Sequence, residues 1–519
     1  MCFLEYALKH RAEEVSQMKV LYIAAECKPF SKVGGVGDVA GELPVALKQE
    51  GVEVEIVTPW YGRTKIDDRK VDFHGNKEPV GIVHADLMGV PVNFVKNPTY
   101  FETDYTKLPD NQPRPFTNPY LFKKDYSTPY VNSDTIAFYD DALRFSFFSA
   151  ACLSLIEDKK PDIVHVNDWG LGYLLGNMAI RKMRQKRVLT IHNIGYQGTI
   201  GKEAIRGWDM ERILQDDNVG PLFVDPHTEW NSVNALRLAL ELADYTNTVS
   251  PNYKDEITQP ENKKRYFEGG KGLHSVTSRL ANKGRLHGIL NGFEYQIEPT
   301  DRSFKETLTQ KAKMKQALGK EFENPGAFLL GFVGRAVEQK FKLLAEELDG
   351  KSVLEHILDI PGVNVAVVAT GEERYELFLS RFVDRPNLSV TIAFDREKAR
   401  QISLGSDVFL MPSLFEPCGI TQMESLSCAT PPLVRWTGGL VDTVKPHTAD
   451  DGTGFGFDGQ TSREVLTNLV ASVHDALKMY TKAQDGFRNL QWRGFRQRFL
   501  WATAARRYVN DIYEPTLRM

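Results

Sequence analysis

The chain has 519 residues, of which 42% are hydrophobic and 25% are charged, so a disordered, collagen-like or coiled-coil protein is excluded. The 64 Lys and Arg residues against 68 Asp and Glu residues give a net charge of −4 without a strongly basic block, so we expect no nucleic-acid partner. The 5 cysteines are scattered and contain no CxxC pair, which disfavours a disulfide framework or a zinc site and favours a cytoplasmic location.

The chain also lacks the apolar run of roughly 18 residues that crosses a bilayer, so we expect no membrane partner. Residues 1–17 carry Glu5, Glu13 and Glu14 and have no long apolar core. We interpret them as an N-terminal extension and not as a secretory or transit signal.

Short apolar runs then alternate with helical patterns in two series. The first series covers 20–23, 54–57, 163–166, 188–191, 246–249 and 286–290, and the second covers 329–333, 363–369, 388–392, 408–411 and 432–434. Runs that are apolar throughout are typical of parallel strands covered on both faces. We therefore predict an α/β protein with two Rossmann-like, doubly wound domains, 18–297 and 298–500, and a ligand cleft between them.

Residues 96–131 interrupt the first series with six prolines and many aromatic residues. A long loop in a compact domain is usually functional. Its aromatic residues are expected either to stack on sugar rings or to pin the loop to its own domain. They are Tyr100, Phe101, Tyr105, Phe116 and Tyr120.

A glycine-rich loop follows the first predicted strand, with Lys32 just before Gly34 and Gly35. Glycines at a helix N-terminus let backbone N–H groups approach an anion, so this loop is either a phosphate site or an ordinary strand–helix turn. The spacing is not GxGxxG and the second strand has no acidic residue at its end, which disfavours a dinucleotide site. We expect Pro44 to kink the following helix or to begin a second one.

The second domain contains two further clusters. Arg335 and Lys340 follow its first strand, where two cations suit a diphosphate leaving group, although a solvated loop would look the same. Glu416 lies in a strand–helix turn, as a sugar-hydroxyl acceptor or a helix cap. Gly438 and Gly439 open another predicted helix and form a second candidate anion or sugar-hydroxyl site.

Nine segments, in this order along the chain, are similar to motifs of the bacterial and plant glycogen and starch synthases. They are KVGGVGDV (32–39), YDDALRFSFF (139–148), VHVNDW (164–169), TIHNIGYQG (190–198), ADYTNTVSPNY (243–253), ILNGFE (289–294), GRAVEQK (334–340), FEPCGITQ (415–422) and VRWTGGLVDTV (434–444). The resemblance implies a GT-B fold, whose first domain is completed by a C-terminal helix at 501–519. It also implies a retaining glucosyltransferase that needs no metal or other cofactor. The donor implied by the resemblance is ADP-glucose or UDP-glucose, with ADP-glucose favoured, and the implied acceptor is the non-reducing 4-OH of an α-1,4-glucan.

The same resemblance assigns residues. Lys32, Gly34 and Gly35 match the family's donor-phosphate loop. Asp168 matches an active-site aspartate that we place among the donor-binding residues, and His192 matches the histidine near the transferred glucose. Arg335 and Lys340 match the pair that stabilises the diphosphate, and Glu416 matches the carboxylate beside the donor glucose. Cys418, Gly438, Gly439 and Leu440 fall in donor-binding motifs, although Cys418 is equally a small buried residue. Phe394 aligns with an aromatic residue that stacks on adenine. The resemblance also suggests front-face transfer in a cleft that closes.

Four positions depart from the family pattern: Gly170, Phe341, Glu424 and Trp436. These departures leave two alternatives open. One is a non-catalytic glucan-binding or regulatory relative, and the other is a GT-B enzyme with a different acceptor.

Overall fold

The computed structural model describes residues 18–32, 34–61, 71–75, 79–97, 100–101, 141–205, 209–226, 231–393 and 395–519. No helix within these ranges has both the length and the apolar character needed to span a bilayer.

The first domain is built on a nine-stranded sheet with the strand order β11-β10-β7-β6-β1-β2-β5-β4-β3. Its strands are β1 (Lys19–Ile23), β2 (Glu53–Pro59), β3 (Val71–Gly75), β4 (Pro79–Leu87), β5 (Val90–Lys96), β6 (Ile163–Asn167), β7 (Lys186–Ile191), β10 (Tyr245–Thr248) and β11 (Leu286–Gly288), and a separate ribbon pairs β8 (Thr199–Gly201) with β9 (Ser232–Asn234). The strands run parallel except at the β3–β4 and β4–β5 pairs, which are antiparallel.

The helices of this domain cover the sheet on both faces. They are α1 (Gly35–Gln49), α2 (Asp141–Lys159), α3 (Gly172–Ile180), α4 (Met210–Gln215), α5 (Gly220–Phe223), α6 (Ala235–Leu242), α7 (Pro251–Glu256) and α8 (His274–Asn282). One large apolar core lies between the sheet and helices α2, α3 and α6, and a second core lies between the opposite face of the sheet and α1. This double coverage explains why the parallel strands are apolar throughout.

The second domain has a six-stranded, wholly parallel sheet with the order β16-β15-β12-β17-β18-β19. These strands are β12 (Phe328–Ala336), β15 (Val363–Gly371), β16 (Leu388–Thr391), β17 (Val408–Met411), β18 (Pro432–Arg435) and β19 (Phe455–Phe457), with a short ribbon of β13 (Glu347–Leu348) and β14 (Lys351–Ser352). Its helices are α9 (Asp301–Gly319), α10 (Glu338–Ala345), α11 (Val353–Leu358), α12 (Glu373–Ser380), α13 (Arg396–Gly405), α14 (Thr421–Ser427), α15 (Gly439–Thr443), α16 (Ser462–Lys482) and α17 (Gln484–Arg496).

The C-terminal segment returns to the first domain. It comprises α18 (Trp501–Arg507), a π-helical turn at Tyr508–Tyr513 and α19 (Glu514–Arg518). Ala504, Ala505 and Tyr508 are buried in the same core as α1. The last helices therefore tie the far end of the chain to the sheet that carries the first set of site residues.

The α/β fold class is confirmed, two local details differ from expectation, and the two described aromatic residues of the 96–131 loop follow the second of the two alternatives given for them. Pro44 lies inside one continuous helix of 15 residues and does not begin a second helix. The antiparallel pairs of β3, β4 and β5 lie in a stretch for which we predicted no strand. Of the aromatic residues of the 96–131 loop, Tyr100 and Phe101 pack against Phe147, with ring centroids 4.2 and 5.8 Å away, and the other three lie outside the described residues.

Candidate active site

The glycine-rich loop after β1 holds a carboxylate of its own chain. Glu26 Oε1 accepts hydrogen bonds from the backbone N–H groups of Gly34 at 3.2 Å and of Gly37 at 3.1 Å. A side chain added at Gly35 would meet nothing within 4 Å, so this glycine borders open space. The loop amides assigned from sequence to a ligand are thus shared with Glu26, a residue that the sequence analysis did not single out.

Lys32 carries the mobile charge of this loop. Its Nζ lies 2.7 Å from Asp38 Oδ1, and half of the lysine side chain is exposed. Glu424 of the second domain is partly open to solvent, but the protein around its carboxyl desolvates it and raises its pKa. The positive charge of Lys32 lowers this pKa, and the negative charge of Asp38 raises it. Glu424, one of the departures, therefore interacts electrostatically with the Lys32–Asp38 pair of the other domain.

Asp168 and His192 lie just beyond the carboxyl ends of β6 and β7. Asp168 Oδ1 accepts a hydrogen bond from the backbone N–H of His192 at 2.7 Å. Burial raises the pKa of Asp168 to about 7, against the lowering effect of the His192 and Asn193 amides. Burial also lowers the pKa of His192 to about 3, so its ring is neutral at neutral pH. The His192 Nε2 atom lies 2.9 Å from Asn167 Oδ1, a contact that the sequence analysis missed.

In the second domain, Lys340 and Glu416 form a half-buried ion pair. Lys340 Nζ lies 3.1 Å from Glu416 Oε2, and the two side chains are 21% and 8% exposed. Ser413 Oγ lies 3.3 Å from the same carboxylate oxygen. Arg335, near the end of β12, is exposed and has no ion-pair partner in the part of the chain that the structure describes. Glu416 thus fixes the position of Lys340, whereas the guanidinium of Arg335 faces solvent.

The Gly438–Gly439 turn packs directly against the backbone of Glu416. Gly438 has a φ of 48°, and a side chain there would come within 2.0 Å of the Glu416 carbonyl oxygen. The Gly438 N–H donates to Glu256 Oε1 of the first domain at 2.8 Å, and the Gly439 N–H donates to the Glu416 carbonyl at 2.9 Å. The Gly439 amide therefore holds the Glu416 loop, and the Gly438 amide ties the same turn to the first domain.

Cys418 and Leu440 have buried side chains in this region. Cys418 packs against Val249 and Met423, and burial raises the pKa of its thiol to about 12, so it is not a thiolate nucleophile. Leu440 is fully buried in a separate apolar cluster under the sheet. Each can therefore reach a ligand only through its backbone.

Several hydrogen bonds join the two domains. Ser250 Oγ donates to the Pro417 carbonyl at 2.5 Å, and the Asn252 N–H donates to Asp442 Oδ2 at 2.9 Å. Arg435, almost fully buried, donates from the second domain to the backbone carbonyls of residues 265 and 266 at 2.7 and 2.8 Å. These contacts link residues that are more than 160 positions apart in the chain, so no local sequence pattern could reveal them.

The other three departures fill packing positions. A side chain at Gly170 would come within 3.0 Å of the Phe145 ring. Phe341 is fully buried, with its ring centroid 5.4 Å from that of Phe332. Trp436 packs against β19, and its backbone N–H donates to the Phe457 carbonyl at 2.9 Å. None of these contacts involves the Lys340–Glu416 pair. Phe394 lies outside the described residues.

The chain folds into two doubly wound domains, each with charged groups at the carboxyl ends of its strands, and hydrogen bonds tie the domains together. This architecture and the comparisons with known proteins identify a glycosyltransferase of the GT-B class. Residues 19–279 match the family model of the starch synthase catalytic domain, and residues 318–485 match that of the glycosyl transferases group 1.

Relatives with known names agree along the whole chain. The chain is 32% identical to glycogen synthase of Thermotoga petrophila, with 96% of this chain and 99% of the relative covered. It is 33% identical to glycogen synthase of Lactococcus lactis, with 96% and 100% covered. The catalytic domain of starch synthase IV from Arabidopsis thaliana, solved with ADP and acarbose, aligns with a TM-score of 0.75 at 26% identity, covering 97% of this chain and 100% of that one. The chain belongs to the glycogen and starch synthase family and is a glucosyltransferase.

Proposed function

We propose that the protein transfers glucose, with retention of configuration, from ADP-glucose to the non-reducing 4-OH of an α-1,4-glucan. The observation that carries this proposal is the Lys340–Glu416 pair, 3.1 Å apart and held against the Gly438–Gly439 turn. A carboxylate accepts sugar hydroxyls, and the adjacent ammonium balances negative charge that develops on a departing diphosphate. The complex of the Arabidopsis relative with ADP supports adenine over uracil as the donor base.

We assign three cationic side chains to the binding of the diphosphate. Arg335 is exposed and supplies a planar guanidinium, Lys340 a fixed point charge, and Lys32 a mobile one from the other domain. Charge of this kind can stabilise the leaving group without a metal ion, so we propose that transfer is metal-independent. Full activity in the presence of EDTA, with no increase when Mg²⁺ is added, would support this assignment.

Neither carboxylate near the reacting centre is arranged as a free nucleophile. Asp168 accepts hydrogen bonds from backbone amides, and burial raises its pKa to about 7, which disfavours the charged form that a nucleophile needs. Glu416 is paired with Lys340. This arrangement favours a front-face transfer, in which the acceptor hydroxyl attacks the anomeric carbon from the leaving-group side and its proton passes to the diphosphate. We also propose a cytoplasmic location, which the scattered cysteines favour.

The test is a donor panel with glycogen as the acceptor. Purified protein is incubated with ADP-glucose or UDP-glucose, and both nucleoside diphosphate release and glucose incorporation into polymer are measured. We expect incorporation with ADP-glucose and little with UDP-glucose. Nucleoside diphosphate release with glucose transfer to a monosaccharide, but not to glycogen, would show that the proposed acceptor is wrong. No release with either donor would contradict the proposal.

A further inference from the structure

A row of polar side chains lies under the catalytic end of the first sheet. Asn167 of β6 pairs in register with Thr190 of β7. Paired residues of parallel strands point to the same face of a sheet, and residues two apart share that face. His192, two positions after Thr190, therefore lies above this row, and its Nε2 atom reaches Asn167 Oδ1 at 2.9 Å.

The orientation of the Asn167 amide is fixed by its other contacts. Its Nδ2 donates to the Ile23 carbonyl at 2.9 Å, and its Oδ1 accepts from the Tyr22 hydroxyl at 2.9 Å. A flipped amide would set Oδ1 against the Ile23 carbonyl, which has no proton to donate. Asn167 Oδ1 therefore faces His192, and only a ring nitrogen that carries hydrogen can bond to it.

The surroundings leave His192 a single ring proton. Burial lowers the pKa of the His192 ring to about 3, and no ion pair to this ring is present in the described residues. The neighbouring groups are His165, also held neutral by burial, the backbone-bound Asp168, and Tyr22, whose pKa burial raises well above its ordinary value. With that one proton on Nε2, Nδ1 keeps a lone pair and can only accept.

We propose that Asn167, held in turn by Tyr22, is a positioning residue that locks His192 in the Nε2–H tautomer, so that Nδ1 accepts a hydrogen bond from a hydroxyl of the transferred hexose. The hexose contact rests on the proposed function, whereas the tautomer belongs to the protein alone. The Nδ1-protonated form would turn a donor toward the hexose and set two lone pairs against each other at Asn167.

Nitrogen NMR of the full-length protein, labelled with 15N at the histidine rings, tests the tautomer directly. The His192 signals are those missing from His192→Gln. We expect a pyrrole-type Nε2 and a pyridine-type Nδ1 in the wild-type protein at neutral pH. Protonation of Nδ1, alone or together with Nε2, would overturn the proposal, and this measurement needs no active enzyme.

Two variants test the role in transfer. Asn167→Leu removes the acceptor, and we expect a mixed ring tautomer and a fall in kcat of about 10-fold or more with the donor KM nearly unchanged. Tyr513→Phe is the matched control, because it removes a buried hydrogen bond of 2.7 Å to His165 and leaves Asn167 untouched. It should keep the wild-type His192 ring signals and kcat, while the His165 ring signals change. A wild-type ring pattern and kcat in Asn167→Leu would overturn the proposal, whereas a wild-type enzyme that transfers no hexose would overturn the proposed function instead.

Discussion

The substitution Gly438→Ala tests whether the turn under Glu416 positions that carboxylate. A Cβ at Gly438 would lie 2.0 Å from the Glu416 carbonyl oxygen, and real Cβ atoms essentially never approach within 3.0 Å. The turn and the Glu416 loop must therefore separate by about 1 Å, a displacement that can cost about 100-fold in rate. The left-handed φ of 48° adds roughly 1–2 kcal/mol of destabilisation in any L-residue.

Gly350→Ala separates these two effects. Gly350 also has a positive φ, 83°, but a side chain there meets nothing within 4 Å. We expect Gly350→Ala to lose about 1–2 kcal/mol in denaturant unfolding with unchanged kcat. Gly438→Ala should lose more stability and about 100-fold in kcat for nucleoside diphosphate release from ADP-glucose. Similar kcat values in the two variants would refute the idea that this contact sets the position of Glu416.

Three further substitutions have definite expected outcomes. Lys340→Ala should lower kcat about 100-fold, since one preorganised charge contributes that much, while Lys342→Ala, which breaks an ion pair on the same helix, should keep its rate; equal steady-state rates would remove Lys340 from the site. Ser250→Ala removes the hydroxyl that donates to the Pro417 carbonyl and caps the Tyr253 N–H, and should cost about 1–3 kcal/mol in urea unfolding, and an unchanged midpoint would contradict this. Burial lowers the pKa of His165 from 6.5 to about 3, so its neutral form stabilises the fold above pH 6.5 and this contribution is lost as the pH falls. The free energy of unfolding of His165→Gln should therefore fall less steeply than that of the wild type between about pH 6 and pH 4, by up to about 1.4 kcal/mol per pH unit. Parallel curves of unfolding free energy against pH for the two proteins would contradict this prediction.

The parallel strands could be predicted because burial on both faces leaves a continuous apolar run. The β3–β4–β5 hairpins could not, since β4 and β5 mix apolar residues with glycine, histidine and asparagine, as in Pro79–Leu87 and Val90–Lys96. Pro44 was predicted to disturb its helix, yet the helix continues through it because the surrounding residues are buried against the sheet. Local propensity gave way to packing at this position.

The candidate site was predictable only where it is local. The glycine loops and the charged residues after strands are visible in the sequence. The groups that hold them are not, because Glu26, Asn167 and Glu256 act on backbone or side-chain atoms brought together by the fold. The acidic residue Glu26, eight positions before Gly34, was the one sequence signal that could have suggested an occupant for the first loop.

The decisive measurement is a crystal structure of the protein with a non-transferable analogue of ADP-glucose and a malto-oligosaccharide. We expect the side chains of Lys32, Arg335 and Lys340 to contact the diphosphate, and Glu416 and His192 to contact the hexose. A closed complex in which those three cations point away from the diphosphate would contradict the central claim that both domains stabilise the same leaving group.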